Sequence, residues 1–402
     1  MRFGDNENST PARGSSDSGE VIVHVIDDLL PESGGPTTVV VELTRQQALA
    51  GMKVGVVCRR APAGGVESPS LRAAWAGLDI AFEELRPQSS WSVRKRLLAS
   101  TLARWQPRVL HLHCMWERLV RETAIIARRN QVPWVLSTHG MMHPQAIGRG
   151  WLKKYAYLWL LGPHFAGARE VLTLNQEETD FLIRRFHSYS SVLPNGIDVS
   201  QYKCSSDKHF RQQFPHLAET RNILFMGRLN PIKGIDLLID AFAFGVAQGI
   251  PHQLLIVGPD GGMESKLRQQ VAAKGLQNRV HFLGPLFGEA KLSAFRSCEI
   301  FAHRPRFEGF GLTIVEAMAS EKPVVTTRAC KLDSAAEAGA LIMAEDTDIG
   351  FAQALVELAG DAALRRSVAT RAVQWASEKY DWPSVAEQAS RAYERACAQA
   401  SA

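Results

Sequence analysis

The chain has 402 residues, 46% of them hydrophobic and 22% charged, with a formal net charge of +5. That length exceeds one ordinary core and predicts two domains, while so mild a charge, with no continuous basic stripe, argues against a nucleic-acid-binding protein. No apolar run is long enough to span a bilayer, which excludes an integral helical membrane protein.

Residues 1–18 are polar, rich in Ser, Gly and Asn, and lack the apolar segment of a secretory leader, so they read as a disordered tail. The six cysteines, at 58, 114, 204, 298, 330 and 397, form no C-x-x-C pair and are expected to be reduced. The cytoplasm is therefore the expected compartment, and the positive charge permits peripheral contact with the inner face of a membrane.

Val21 to Ile26 is a first buried strand, ended by Asp27-Asp28. A loop with Ser33-Gly34-Gly35 follows, then a helix from Thr37 to about Ala50, a cap at Gly51 and a strand from Lys53 to Cys58. This β-loop-α-β order predicts a parallel sheet of Rossmann type, with Gly34 and Gly35 beyond a strand's carboxyl end, where such sheets take ligands. Residues 61–70 read as a loop and 71–105 as helical segments with a basic cluster at Arg94-Lys95-Arg96. Val109 to His113 is another strand. His-x-His-Cys at 111–114 lacks a fourth spaced ligand, and alternation puts His111 and His113 on one face, so they are expected as packed or cleft-lining histidines and not as a zinc site. Trp134 to Thr138 is a strand running into His139-Gly140. The basic, aromatic helix from Arg149 to Leu161 suits either a membrane surface and a lipid-linked acceptor or an ordinary solvated face. A strand at 171–174, a helix at 176–186 and the turn Pro194-Asn195-Gly196 complete the first half, and the polar residues 199–220 fit a linker.

The second half restarts with a strand from Asn222 into Arg228, a turn with Pro231 and Lys233-Gly234, and a helix from Asp236. Arg228 and Lys233 place two fixed positive charges beyond the strand end, ahead of a helix start that also favours anions; together they suit a diphosphate. Strands follow at 253–257, ending in the turn Gly258-Pro259-Asp260-Gly261, and at 279–286, which includes Pro285. The most informative run is Arg306-Phe307-Glu308-Gly309-Phe310-Gly311-Leu312, continued by a helix to Ala319 and a strand at 324–327. Its glycines let backbone approach a ligand, and the helix start offers unpaired N–H groups to a phosphate. Glu308 before the helix and Glu316 one turn inside it can face one cleft. Carboxylates beside a phosphate site call for neutral hydroxyl partners, those of a sugar and a ribose. Asp346-Thr347-Asp348 is a D-x-D triplet, but its place before a helix makes Asp348 an expected N-cap, and no catalytic metal is expected. Tyr380-Asp381-Trp382-Pro383 breaks a helix ending near Lys379, and a last helix spans about 384–398.

Glu308 and Glu316, with seven residues between them, inside Glu-Gly-Phe-Gly-Leu, Glu-Ala-Met-Ala and Lys-Pro-Val-Val, resemble the E-x7-E motif of retaining glycosyltransferases of the GT-B fold, glycosyltransferase family 4. Gly-Arg-Leu-x-x-x-Lys-Gly at 227–234 is similar to the diphosphate clamp of that family, and Pro194 to Asp198 to its exit from the N-terminal domain. The resemblance implies an α/β fold of two Rossmann-like domains facing across a cleft: 19–200 for the acceptor, 215–379 for the nucleotide sugar, and 380–402 as a helix crossing back. It implies a hexose moved from a UDP- or GDP-sugar to a glycan or lipid-linked acceptor, with retention, in exopolysaccharide or cell-surface glycan synthesis, and with the nucleotide sugar as co-substrate and neither metal nor other cofactor. In this scheme Glu308 and His139 are catalytic, with His139 beside the reacting carbon. Arg228, Lys233, Glu316, Gly309, Phe310, Gly311, Leu312, Gly34, Gly35, Gly258 and Pro285 bind the donor. One departure is Lys331 to Gly339, where the family usually has a Glu or Asp-Gly signature. Two other readings stay open: an epimerase or hydrolase of nucleotide sugars on the same fold, and a silent subunit that only binds them.

Overall fold

The computed structural model describes residues 21–30, 35–85, 90–144 and 167–401. The N-terminal tail, Gly34 and the basic, aromatic stretch at 149–161 lie outside the described residues. Among those described, no helix is long and apolar enough to cross a membrane.

The first domain is a parallel sheet of β1 (Val21–Asp28), β2 (Val54–Arg60), β3 (Ile80–Glu84), β4 (Pro107–His113), β5 (Trp134–Ser137), β6 (Glu170–Thr173) and β7 (Ser190–Val192). The order across it is β3-β2-β1-β4-β5-β6-β7. β1 is buried on both faces, as the continuous Val/Ile run requires of a central parallel strand. The strand sequence runs outward from β1 to β3 and then resumes at β4 on the other side, so the topological switch lies between β1 and β4.

Residues 71–105, read as helical segments, also contain a strand. Helices Pro69–Ala74 and Trp91–Trp105 flank β3, which pairs with β2 from Val54↔Ile80 to Cys58↔Glu84. Ile80-Ala81-Phe82 is too short for its period to separate strand from helix, and pairing at the sheet edge decides the outcome.

The second domain repeats the plan with β8 (Asn222–Met226), β9 (Gln253–Val257), β10 (Val280–Gly284), β11 (Ile300–Ala302), β12 (Val324–Thr326) and β13 (Ile342–Met343), in the order β10-β9-β8-β11-β12-β13. Its switch lies between β8 and β11. The stretch expected as a linker is ordered. Helices Val199–Lys203 and Lys208–Gln213 carry Val199, Tyr202 and Phe210 into the apolar core of this domain, beside Phe295, Phe301 and Met318. Apolar residues three to eight apart in a polar sequence were enough to dock it.

Helix Ala362–Tyr380 ends at the joint between the domains. There Ile197 N donates to Tyr380 O at 2.7 Å and Trp382 N to Ile197 O at 3.1 Å, pairing the outgoing chain with the returning one. The last helix, Trp382–Ser401, closes the first domain: Trp382, Val385, Ala389 and Tyr393 pack on Ile22, Leu43, Val109 and Leu172. Its Arg395 holds the fully buried Glu170 carboxylate through two bonds, at 2.7 and 3.1 Å.

Candidate active site

In an open parallel sheet the crevice at the switch, beyond the strands' carboxyl ends, is where ligands bind. In the second domain that crevice is walled by the loop after β8, carrying Arg228 and Lys233, and the loop after β11, carrying Glu308 to Gly311. The two loops meet directly, since Lys233 Nζ lies 2.5 Å from Glu308 Oε2. Gly234 makes this approach feasible. It sits at φ 61°, and a Cβ there would fall 2.1 Å from the Arg304 carbonyl oxygen, so no other residue fits behind Lys233. Arg228 is exposed and, among the described residues, makes no ion pair.

Glu308 is 8% exposed, and its Oε2 also accepts from His303 Nε2 at 3.0 Å. Burial by itself pushes this carboxyl up; the His303 hydrogen bond and the Lys233 ammonium outweigh it and hold the pKa at about 2. Burial keeps His303 below its usual value, so it serves Glu308 as a neutral donor through Nε2. His303 is a partner that sequence reasoning left as the end of a strand, and its only signal was its place five residues before Glu308. Gly311 caps helix Leu312–Ala319 in the left-handed region at φ 69°. Leu312 is exposed at the first turn, where backbone N–H groups are unpaired within the helix. Phe310 packs edge-on against Tyr380, ring centroids 5.8 Å apart, beside the joint between the domains.

Glu316 is buried in the same helix. Lys291 Nζ binds its Oε1 at 2.6 Å, while Oε2 is buried without a hydrogen-bond partner. The Tyr202 hydroxyl adjoins this carboxylate, whose remaining lone pairs can accept from a further hydroxyl. Lys291, on helix Gly288–Arg296, was not found from the sequence, because nothing local marks a lysine 25 positions from its partner. Gly258 owes its identity to packing: at φ 148° a Cβ would lie 1.9 Å from Gly227 O, so the turns after β8 and β9 touch through backbone. Pro285 is exposed just past the end of β10, at the sheet edge.

On the facing domain, Gly35 begins helix Gly35–Leu49 after β1 with open space around it. His139 follows β5 at φ 50°, a strained position for a residue other than glycine. Its Nε2 lies 3.0 Å from His113 Nδ1. His111 and His113 are fully buried, and a third ring, His24 of β1, joins them, with one ligand atom from each of the three within 4.8 Å of the others. The register β1–β4, which pairs His24 with His111, produces this cluster. Every nitrogen of the three rings has a polar partner: Gln47 and His113 for His24, Tyr393 and Ser137 for His111, His24 and His139 for His113. A metal would have to displace those bonds.

The two crevices face each other closely enough to touch. Asn175 Nδ2 donates to Gly309 O at 2.7 Å, Lys331 Nζ lies 3.2 Å from Glu177, and the His143 and Phe307 rings are 4.7 Å apart. Lys331 belongs to the segment that departs from the family pattern. The D-x-D triplet has another use: Asp346 and Asp348 bind the buried Arg304 at 3.1 and 2.5 Å. Thr347, and not Asp348, is the N-cap of helix Asp348–Gly360, its side chain accepting from Gly350 N at 3.0 Å. The buried guanidinium takes Asp348 into the helix's first turn and leaves the cap to the preceding hydroxyl.

Two facing Rossmann-like domains, crossed by a returning C-terminal helix, define a GT-B glycosyltransferase fold. Solved structures agree. The Anabaena HepE protein in complex with UDP-glucose superposes with a TM-score of 0.67 at 21% identity, over 93% of this chain and 99% of that one. A glycosyltransferase from Rickettsia africae gives 0.72 at 13% identity, over 94% and 98%. The family model described as glycosyl transferases group 1 matches residues 206–375, and that of a glycosyl transferase 4-like domain matches 34–196. The chain belongs to this family, glycosyltransferase family 4. Among curated proteins it is similar to a phosphatidyl-myo-inositol mannosyltransferase of Mycolicibacterium smegmatis, 36% identical over 50% of this chain and 51% of that one. A D-inositol 3-phosphate glycosyltransferase of Corynebacterium glutamicum is 29% identical over 57% and 58%. The chain thus matches little more than half the length of these curated relatives.

Proposed function

We propose that the protein transfers a hexose from a UDP- or GDP-linked sugar to a hydroxyl of a glycan or lipid-linked acceptor, with retention at the anomeric carbon, in exopolysaccharide or cell-surface glycan synthesis. One observation supports this above the others: the Lys233–Glu308 contact at 2.5 Å, which joins a cationic loop to an acidic, glycine-rich one across the switch of the second sheet. The printed activities of the curated relatives and the UDP-glucose held by HepE point the same way.

In this scheme Arg228, Lys233 and the N–H groups at the start of the Leu312 helix neutralise the diphosphate, a task preorganised charge performs without reorganising at the moment of reaction. Glu308, held ionised, accepts hydrogen bonds from sugar hydroxyls, and the open Oε2 of Glu316 accepts one from the ribose. The bond from the anomeric carbon to the phosphate oxygen breaks, that to the acceptor oxygen forms on the same face, and the acceptor's proton passes to the leaving diphosphate. His139 borders the sugar from the opposite domain. Closing the cleft excludes water and suppresses hydrolysis.

Thermal unfolding in the presence of a panel of UDP- and GDP-sugars tests donor binding, because a ligand that binds only the folded chain raises its stability. Product analysis with and without acceptors then separates the chemistries. Sugar released without acceptor points to a hydrolase, binding without turnover to a silent subunit, and failure to bind any nucleotide sugar would sink the proposal.

A further inference from the structure

We propose that Gln47, acting through His24 and His113, fixes which ring nitrogen of His139 carries the proton, so that His139 meets its substrate as a hydrogen-bond acceptor at Nδ1. The inference rests on the proposed placement of His139 beside the sugar, but its first test does not.

The four residues form an unbroken line from the inner face of a helix to the cleft. Gln47 Oε1 lies 2.8 Å from His24 Nε2, His24 Nδ1 lies 3.0 Å from His113 Nε2, and His113 Nδ1 lies 3.0 Å from His139 Nε2. Gln47, His24 and His113 are fully buried, and their polar atoms along the line meet one another. A neutral imidazole has one donor and one acceptor, which makes each link dictate the next. The Gln47 carbonyl oxygen can only accept, so His24 carries its proton on Nε2 and accepts at Nδ1. His113 must then donate from Nε2 and accept at Nδ1. His139 in turn donates from Nε2, which leaves the Nδ1 lone pair without a protein partner among the described residues. Burial depresses the basicity of His24, His113 and His139 alike, which keeps the rings neutral, as this sequence of donors requires.

The Gln47 amide also bonds outside the line. Its Nε2 donates to Tyr393 OH at 3.1 Å; that hydroxyl then donates to His111 Nδ1 at 2.7 Å, and His111 Nε2 donates to Ser137 Oγ at 2.7 Å. Rotating the Gln47 amide would reverse every bond and move the His139 proton to Nδ1. Tyr393 sits on the last helix, so the segment that returns from the second domain carries one partner of the Gln47 amide. Gln47, His24, His113 and Tyr393 are positioning residues: none reaches the cleft. A lone pair at Nδ1 accepts from a sugar or acceptor hydroxyl, whereas an N–H there would donate to its oxygen instead.

The test is nitrogen NMR of the full chain with isotope-labelled histidine, with the His139 signals assigned by their loss in His139→Gln. In the unmodified protein His139 should show a protonated Nε2 and an unprotonated Nδ1; the opposite tautomer would overturn the proposal, as would a metal ion bound stoichiometrically by the cluster. Gln47→Leu removes the fixed end, so both tautomers should populate, and kcat for transfer should fall with the competent fraction, about twofold for an even mixture, at unchanged donor KM. A tautomer in Gln47→Leu identical to that of the parent protein would remove Gln47 from the role. A shifted tautomer with unchanged kcat would show that the line does not serve the reaction. If the parent protein binds a donor but transfers nothing, the functional proposal fails, while the tautomer result still stands or falls separately.

Discussion

Acidification from pH 7 to pH 5 should destabilise the first domain through its histidine cluster, and the size of the effect follows from burial. His24 is fully buried, and burial lowers its pKa from 6.5 to about 4, with the Gln47 bond opposing the shift only in part. Below 6.5 the unfolded chain takes up a proton that the folded ring refuses, so the stabilisation is complete above that value and is lost as the pH falls towards 4. Linkage makes the loss about 2 kcal/mol for this one ring between pH 7 and pH 5. His139, also lowered to about 4, acts in the same sense, as do His111 and His113, which lie well below their usual value. Shared hydrogen bonds make the four losses less than additive. Glu42, Glu117 and Glu178, whose carboxyls burial pushes up, oppose the effect, because the folded state binds their protons first.

The clean measurement is therefore a difference between two proteins in which the carboxyl contributions cancel. Hydrogen exchange of the β4 and β5 amides, corrected for the intrinsic pH dependence, gives the opening free energy of this domain separately from the other. His24→Gln retains polar atoms in the line but does not titrate, so the loss between pH 7 and pH 5 should be smaller than in the parent by about 2 kcal/mol. The same pH dependence in both proteins would mean that His24 does not stay neutral in the folded state, and the account of the cluster would be wrong.

Three further outcomes concern the second domain. Lys233→Met removes the ammonium that helps keep Glu308 ionised, so the Glu308 pKa should rise above about 2, and donor-dependent transfer should fall at least about a hundredfold. Steady-state kinetics with a responsive donor checks this, and near-parental turnover would count against the assignment. Arg228→Ala removes an exposed, unpaired cation, so unfolding should shift by no more than about 0.5 kcal/mol, while affinity for the nucleotide diphosphate in calorimetry drops about tenfold; unaltered affinity would release Arg228 from the clamp. Gly234→Ala places a Cβ 2.1 Å from Arg304 O and should cost more than about 2 kcal/mol of second-domain stability in denaturant unfolding, a neutral result being incompatible with the loop geometry.

Much of the fold was legible because parallel strands buried on both faces announce themselves as short Val/Ile/Leu runs separated by glycine turns. β3 escaped because it is an edge strand of five residues, and the segment at 199–217 escaped because sparse apolar residues in a polar stretch show no period until the partner surface is known. The site divides the same way. Glu308, Glu316, Arg228 and Lys233 could be proposed from local motif and position at strand ends. Their partners could not: Lys233 and Glu308 are 75 positions apart, and His303 and Lys291 carry no motif. His24 was recoverable in principle, since β1 and β4 flank the switch and so must be neighbours, which sets His24 beside His111. The D-x-D triplet misled about its cap because the guanidinium that claims both aspartates arrives from β11's end, over 40 positions earlier.

The joint and the mouth of the cleft are held by different forces. At the joint, Trp382 and Tyr393 are buried with Ile22, Leu43 and Leu172, and large apolar side chains of this kind each resist removal by about 3 kcal/mol or more. Among the described residues, the mouth holds a neutral hydrogen bond from Asn175, an ion pair between Lys331 and Glu177 with side chains 43% and 34% exposed, and the His143–Phe307 ring contact. Partly exposed pairs of that sort contribute about 0–1 kcal/mol. The compliance of the molecule therefore lies at the mouth, and the residues at 197 and 380–382 form the pivot. A cleft built this way separates its two walls at small cost while leaving intact the line from Tyr393 to His139, because that line lies wholly within the first domain and the helix sealed to it.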